Sequence, residues 1–199
     1  SRAARRATSA CAARSSASCA ACAARPTGSS VARTVASGWP RATRSPTPGR
    51  PFGPGSIDTE GIALVPGGFL VSTEAIPHRG VPAVIGEHGP DGRLRRELPL
   101  PDRYRSAAGQ GVRENLGFEG LAPTRDGRYL FAGVENALAQ DGPVADAGVA
   151  SPARILRFDL EKAGPPAEFA YHVDAVSPAP VSVGAFRVNG LSDLLPLGE

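Results

Sequence analysis

Several residue types are scarce in this sequence, and each shortage excludes a class of protein. No stretch approaches the roughly 20 consecutive apolar residues that a membrane-spanning helix needs, so we expect no membrane span. All three cysteines, Cys11, Cys19 and Cys22, lie near the start, and no further Cys or nearby His completes a zinc site. The rest of the chain therefore has no disulfide. Methionine is absent, which predicts a fragment of a longer chain.

Acidic residues are also absent from residues 1–57, which contain nine Arg. Residues 58–199, by contrast, contain 13 basic and 19 acidic residues. The net charges are therefore +9 and −6, and the overall charge of +3 describes neither part. A nucleic-acid-binding surface needs basic side chains on a folded domain. Because the part able to form a core is acidic, we expect no nucleic-acid partner.

Residues 1–50 consist mainly of Ala, Arg, Ser, Thr, Pro and Gly. Such a segment cannot bury enough apolar surface to offset its ordering entropy, so we expect it to be disordered. Three origins fit its composition: an organelle transit peptide, a basic linker, or out-of-frame translation of GC-rich DNA. We expect residues 51–199 to form the folded domain.

A short pattern occurs twice in the folded part. The tetrapeptide Glu-Gly-Ile-Ala at residues 60–63 recurs as Glu-Gly-Leu-Ala at residues 119–122. Each copy continues into a Gly-containing turn and a second apolar run that ends in a glutamate, Glu74 or Glu135. A fainter third copy, Asn-Gly-Leu-Ser, occupies residues 189–192. Repeated hairpins at such a spacing predict an array of similar sheets, of which a β-propeller is the typical all-β form.

The turns and apolar runs together predict two four-stranded units and the start of a third. The fold class is therefore all-β, a partial β-propeller with an incomplete set of four-stranded blades. Because an unclosed propeller exposes strand edges, we expect the chain to aggregate. The predicted hairpins span residues 57–75 and 119–135, and the further strands span residues 83–87, 94–98, 154–158, 168–173 and 191–197.

The repeated acidic residues are the candidate site. The innermost strands of a propeller line its channel, so Glu60 and Glu119 are expected near each other, as are Glu74 and Glu135. Asp58, two residues before Glu60, projects to the same side of an extended strand. Carboxylates in one small channel repel one another, so some must stay protonated at a raised pKa unless a cation joins them.

Calcium suits such a set because it accepts six to eight oxygen ligands in loose geometry. The predicted metal ligands are Asp58, Glu60 and Glu119, and Asn115 can add an amide oxygen. The same acids also fit a structural role, since a Glu at the start of a strand can accept backbone N–H bonds or face solvent.

No other catalytic pattern stands out. The sequence contains no nucleophile elbow, no phosphate-binding P-loop and no zinc-protease helix motif. Arg113 and Arg154 are the candidate substrate-binding residues, because a guanidinium can hold an anionic phosphate near the acidic channel.

Five segments of the chain carry a family resemblance: residues 58–63, 115–122, 135–142, 151–155 and 190–195. In these segments the chain resembles the family known for the esterase-like domain of phytase. The resemblance implies a propeller-like protein, usually exported, whose Asp and Glu residues are suspected of hydrolysing phosphate esters. It thus implies Glu60, Glu119 and Glu135 as catalytic acids, a small-molecule phosphate ester as substrate, and a secreted or periplasmic location.

Two alternatives fit the same residues. One is a non-catalytic propeller that acts as a binding or structural module. The other is a lactonase-like propeller hydrolase that uses Ca²⁺ on a carboxyl ester.

Overall fold

The computed structural model describes residues 57–177 and 187–197. The predicted disorder of residues 1–50 lies outside these ranges. Within them, no helix is long and apolar enough to span a membrane. The helical structure consists of two short 3-10 turns at Pro77–Arg79 and Asp102–Tyr104. The strands are β1 Thr59–Val65, β2 Gly68–Thr73, β3 Val84–His88, β4 Leu94–Glu97, β5 Phe118–Pro123, β6 Tyr129–Val134, β7 Ser151–Asp159 and β8 Ala167–Val173.

The eight strands form two four-stranded antiparallel sheets, which confirms the all-β prediction. Their orders are β1-β2-β3-β4 and β5-β6-β7-β8, so each strand pairs with the next along the chain. Two glycines make the first hairpin turn of each sheet possible, with φ angles of 79° at Gly67 and 74° at Gly127. The arrangement is compatible with two blades of a propeller.

The main core lies between the two sheets. Leu70 and Ile85 from the first sheet are fully buried, as are Leu130 and Leu156 from the second, and all four belong to one cluster. This burial follows from the alternation of a strand, in which every second side chain points to the same face. The sheets therefore stack face to face, and this stacking sets where their strand ends meet.

The first strands of the two sheets touch at a glycine. A Cβ atom added to Gly61 would overlap the carbonyl oxygen of Glu119 and lie 2.7 Å from the hydroxyl of Ser72. The N–H of Gly61 donates to that hydroxyl at 2.9 Å. The glycine of the Glu-Gly repeat is thus required by the close approach of two backbones, and this approach brings Glu60 and Glu119 to the same place.

The strand predicted at residues 191–197 is wrong, because the structure has irregular backbone there. The N–H of Leu191 donates to the carbonyl of Glu135, just beyond β6, at 3.0 Å. The N–H of Leu194 donates to the side chain of its own neighbour Asp193 at 2.8 Å, and Pro196 has no N–H to offer a ladder. These N–H groups are therefore not available to a regular ladder, and the segment packs on the second sheet at Gly133.

We predict that Gly61→Ala destabilises the protein, since the new methyl group would force β1 and β5 apart. Overpacking of this kind costs about 1–3 kcal/mol, and more where backbone must move. Urea unfolding would measure the loss. Gly164→Ala is the matched control, because a Cβ at Gly164 meets no atom within 4 Å. Equal stabilities for the two variants would contradict the proposed contact.

Candidate metal centre

Five acidic residues gather at one end of the two sheets. Asp58 and Glu60 lie at the start of the first hairpin, and Glu74 directly follows β2. In an antiparallel hairpin the start of one strand lies beside the end of the next. The N–H of Glu74 accordingly donates to the carbonyl of Asp58 at 2.9 Å. Glu119 and Glu135 hold the matching positions in the second sheet, where the N–H of Glu135 donates to the carbonyl of residue 117 at 2.7 Å.

A bulge accompanies each of the two repeated glutamates. The pairing of β1 with β2 shifts register between Thr59 and Ile62, and the pairing of β5 with β6 shifts between Phe118 and Leu121. A bulge inserts an extra residue into one strand and re-aims the side chains there. Glu60 lies within the first bulge and Glu119 within the second, so the local sequence turns both carboxylates toward the same region.

The carboxylates form two overlapping groups. Asp58, Glu60 and Glu74 each offer an oxygen atom, and these atoms all lie within 4.8 Å of one another. Glu74, Glu119 and Glu135 do the same. Glu74 belongs to both groups, and only 2% of its surface is exposed. It is therefore the residue that joins the acids of the first sheet to those of the second.

A peptide group holds Glu74 in place. The N–H of Gly117 donates to Oε1 of Glu74 at 2.6 Å. A Cβ atom at Gly117 would lie 3.2 Å from Cγ of Glu74, so the peptide approaches the carboxylate as closely as a glycine allows. Gly117 comes directly before β5, and the contact thus links the loop entering the second sheet to the end of β2.

Burial and mutual repulsion raise the pKa values of four of these acids. The pKa of Glu119 rises to about 8, first because burial disfavours its charge and then because Glu60, Glu74 and Glu135 are negative. Burial is also the largest cause of the raised pKa of Glu60, where Asp58 adds repulsion. It likewise raises the pKa of Glu74 and of Glu135. Glu119 therefore retains its proton near neutral pH when no cation is bound.

The sequence predicted most of this assembly. The structure brings together Asp58, Glu60, Glu119 and Glu135, the predicted ligands and catalytic acids. It adds Glu74, which the repeat predicts to lie near Glu135 but does not mark as a ligand. Its linking position follows from how the sheets stack, and the repeat carries no information on that stacking.

Asn115, the predicted source of an amide oxygen, precedes β5 by three residues. It lies in a turn between the bridged residues Arg113 and Leu116, is exposed, and has a positive φ of 56°. Asparagine tolerates this conformation better than most residues. The backbone conformation therefore gives a local reason for an asparagine at this position.

The two predicted substrate-binding arginines both have protein partners. Arg113 donates from Nε to the carbonyl of Ala137 at 3.0 Å and from Nη2 to that of Gly142 at 2.8 Å. Arg154 donates to both carboxylate oxygens of Asp141, at 2.5 and 2.8 Å, and to Glu168 at 2.8 Å. A bound anion would have to compete with these acceptors for either guanidinium.

Comparison with models of known protein families gave a match. The family model described as Phytase-like, "Esterase-like activity of phytase", matches residues 11–199. The chain belongs to this family. The match begins within the Arg-rich segment and includes both carboxylate groups. A search of curated proteins found no match, and neither did a search of solved structures.

We predict that the metal-free protein loses stability as the pH rises from about 5 to about 8. Raised pKa values in the folded state mean that the folded protein binds more protons than the unfolded one. The stability that this extra proton binding contributes is complete at low pH and is lost as the protons leave. Glu119→Gln should weaken this dependence and raise the melting temperature at pH 8, by about 2–4 °C per kcal/mol of relieved repulsion.

Thermal unfolding in the presence of a chelator, followed by circular dichroism across this pH range, would measure the effect. Glu161→Gln is the control, because Glu161 is exposed in the turn between β7 and β8 and should keep the profile of the unaltered protein. A Glu119→Gln variant with an unaltered profile would contradict the assigned repulsion.

Proposed function

We propose that this chain is a metal-assisted phosphate-ester hydrolase domain. The observation that carries the proposal is the pair of carboxylate groups that share Glu74. On the family resemblance alone, we also propose that the protein is secreted or periplasmic and acts on a small-molecule ester. Glu60, Glu119 and Glu135 are the proposed catalytic acids.

The donor set fits a hard divalent cation. Each of the five acids offers a carboxylate oxygen, which is the type of ligand that Ca²⁺ and Mg²⁺ prefer. The ligands come from strand ends of two different sheets, and such an irregular arrangement suits the flexible coordination of Ca²⁺ better than the near-ideal octahedron of Mg²⁺. Asp58, Glu60 and Glu119 are the proposed ligands, with Glu74 added, and Asn115 is the proposed source of an amide oxygen.

The charge of the centre also argues for a cation. Within the described part of the chain, no basic side chain is among the charges that shift the pKa values of these acids. Carboxylates alone would repel a phosphate ester, so the acids need a cation to attract the proposed substrate. A bound cation would polarise the phosphoryl oxygens and lower the pKa of an attacking water. Glu60 is exposed, and a carboxylate on the solvent side is suited to accept the proton of that water.

Protons and cation compete for the same oxygen atoms. Because a carboxylate must be deprotonated to act as a ligand, binding releases the protons that the raised pKa values retain. The affinity for Ca²⁺ should therefore increase as the pH rises toward 8, where Glu119 loses its proton in the metal-free protein.

A structural role for the glutamates is the second candidate. The bond from the N–H of Gly117 to Glu74 supports it, because this bond joins the two sheets without any ligand. In that case the protein would be a non-catalytic binding or structural module, and the acids would serve only to connect neighbouring sheets.

We predict that the unaltered protein binds Ca²⁺ and hydrolyses phytate or p-nitrophenyl phosphate. Glu60→Gln and Glu119→Gln should each weaken binding by about tenfold or more and lower the hydrolysis rate in parallel, since each removes a charged ligand. Calorimetric titration and phosphate release would measure the two effects.

Glu161→Gln serves again as the control and should match the unaltered protein in both assays. Absence of Ca²⁺ binding by the unaltered protein would overturn the metal-assisted mechanism and favour the structural module. Ca²⁺-dependent hydrolysis of carboxyl esters but not of phosphate esters would favour the lactonase-like alternative.

A further inference from the structure

The guanidinium of Arg113 connects two loops at the end of the sheets where the acids lie. Its acceptors, the carbonyls of Ala137 and Gly142, belong to the loop that follows β6. Ala137 comes two residues after Glu135. Arg113 itself lies four residues before Gly117, in the loop that leads into β5. Arg113 thus joins the segment that follows Glu135 to the segment that precedes Glu119.

The backbone between Arg113 and β5 is short, and a bridge constrains it. Arg113 and Leu116 form a β-bridge across a tight turn, and Gly117 follows directly. The backbone of Gly117 makes two contacts in the carboxylate centre. Its N–H donates to the side chain of Glu74, and its carbonyl accepts the N–H of Glu135. A displacement of the Arg113 turn would therefore move the group that orients Glu74 relative to Glu135.

We propose that Arg113 is a positioning residue for the carboxylate centre, an inference that rests on the proposed metal-binding function. The Nε and Nη2 donors of its guanidinium form a fork that holds the carbonyls of Ala137 and Gly142. This fork fixes the distance between the loop after Glu135 and the turn before Gly117. That distance in turn sets the spacing of Glu74, Glu119 and Glu135. Arg113 acts on a bound cation only through these groups.

The chemistry of the contact requires arginine. The guanidinium is a rigid plane with several N–H donors, so it can hold two carbonyls at a fixed separation. A lysine ammonium is a single flexible point charge and cannot reproduce the fork. In the described residues Arg113 donates to carbonyl oxygens and to no carboxylate, so the fork, and not an ion pair, is what a substitution removes.

Other contacts join the same two loops without Arg113. The N–H of Ala139 donates to the carbonyl of Gly111 at 2.9 Å. The N–H of Gly111 in turn donates to the side chain of Gln140 at 2.8 Å. The loops therefore remain joined at Gly111 when the Arg113 contacts are removed, but the separation of the turn before Gly117 from the loop after Glu135 is no longer fixed. We expect the change to be confined to the carboxylates.

The test compares Arg113→Lys with Arg96→Lys. Arg96 is a matched control, because it also donates from Nε and Nη2, to Glu87 at 2.7 Å and to the carbonyl of Leu160 at 3.1 Å. Glu87 lies toward the end of β3 and pairs with Leu70, and Leu160 directly follows β7, so both acceptors lie away from the acids. Ca²⁺ affinity by calorimetry and the melting temperature would be measured for both variants and for the unaltered protein.

We expect Arg113→Lys to weaken Ca²⁺ binding by about tenfold or more, as is usual for residues that orient metal ligands, and Arg96→Lys to leave it within about twofold. Similar affinities for Arg113→Lys and the unaltered protein would overturn the positioning role while leaving the metal site standing. No Ca²⁺ binding by the unaltered protein would instead overturn the proposed function on which the inference rests.

A second measurement needs no substitution and covers the case in which Arg113→Lys fails to fold. Coupling between two sites is reciprocal. If the fork improves Ca²⁺ binding, Ca²⁺ must stabilise the fork by the same factor, about tenfold. Hydrogen exchange of the Arg113 Nε–H, followed by NMR, should therefore slow when Ca²⁺ is added. An unchanged exchange rate in protein saturated with Ca²⁺ would overturn the proposal.

Discussion

The contact between β1 and β5 is the constraint on which the rest of the structure depends. At Gly61 the two backbones lie closer than any side chain would allow. This proximity brings the beginnings of two hairpins together, and with them the acids that each hairpin contributes. The buried cluster that includes Leu70 and Leu130 holds the sheets together, but the glycine determines how near the strand ends come.

The same proximity has an energetic cost. Placing several carboxylates in one partly buried region raises their pKa values, and the chain must either keep protons there or recruit a cation. Folds commonly concentrate such unfavourable charge where function is located. The hydrogen bond from Gly117 to Glu74 reduces the cost for one acid, yet burial and the neighbouring charges outweigh it.

Much of the fold was predictable, because hairpins leave clear local patterns. The alternation of side chains and the Gly-containing turns predicted both sheets, and the Glu-Gly repeat predicted which acids lie together. Residues 191–197 show where such patterns fail: the leucines suggested a strand, but their backbone bonds are made with Glu135 and with the side chain of Asp193. The positions of Glu74 and Arg113 depend on contacts between distant segments, which spacing along the chain does not reveal.

The bulges in β1 and β5 have a consequence for how this protein can vary. Each bulge inserts an extra residue where a repeated glutamate lies. Deleting one residue there would restore regular pairing and change the direction of the glutamate side chain, while every side chain beyond the bulge kept its partner. At these two points the number of residues matters as much as their identity, so a relative can retain every acid and still lose the site through a change in length.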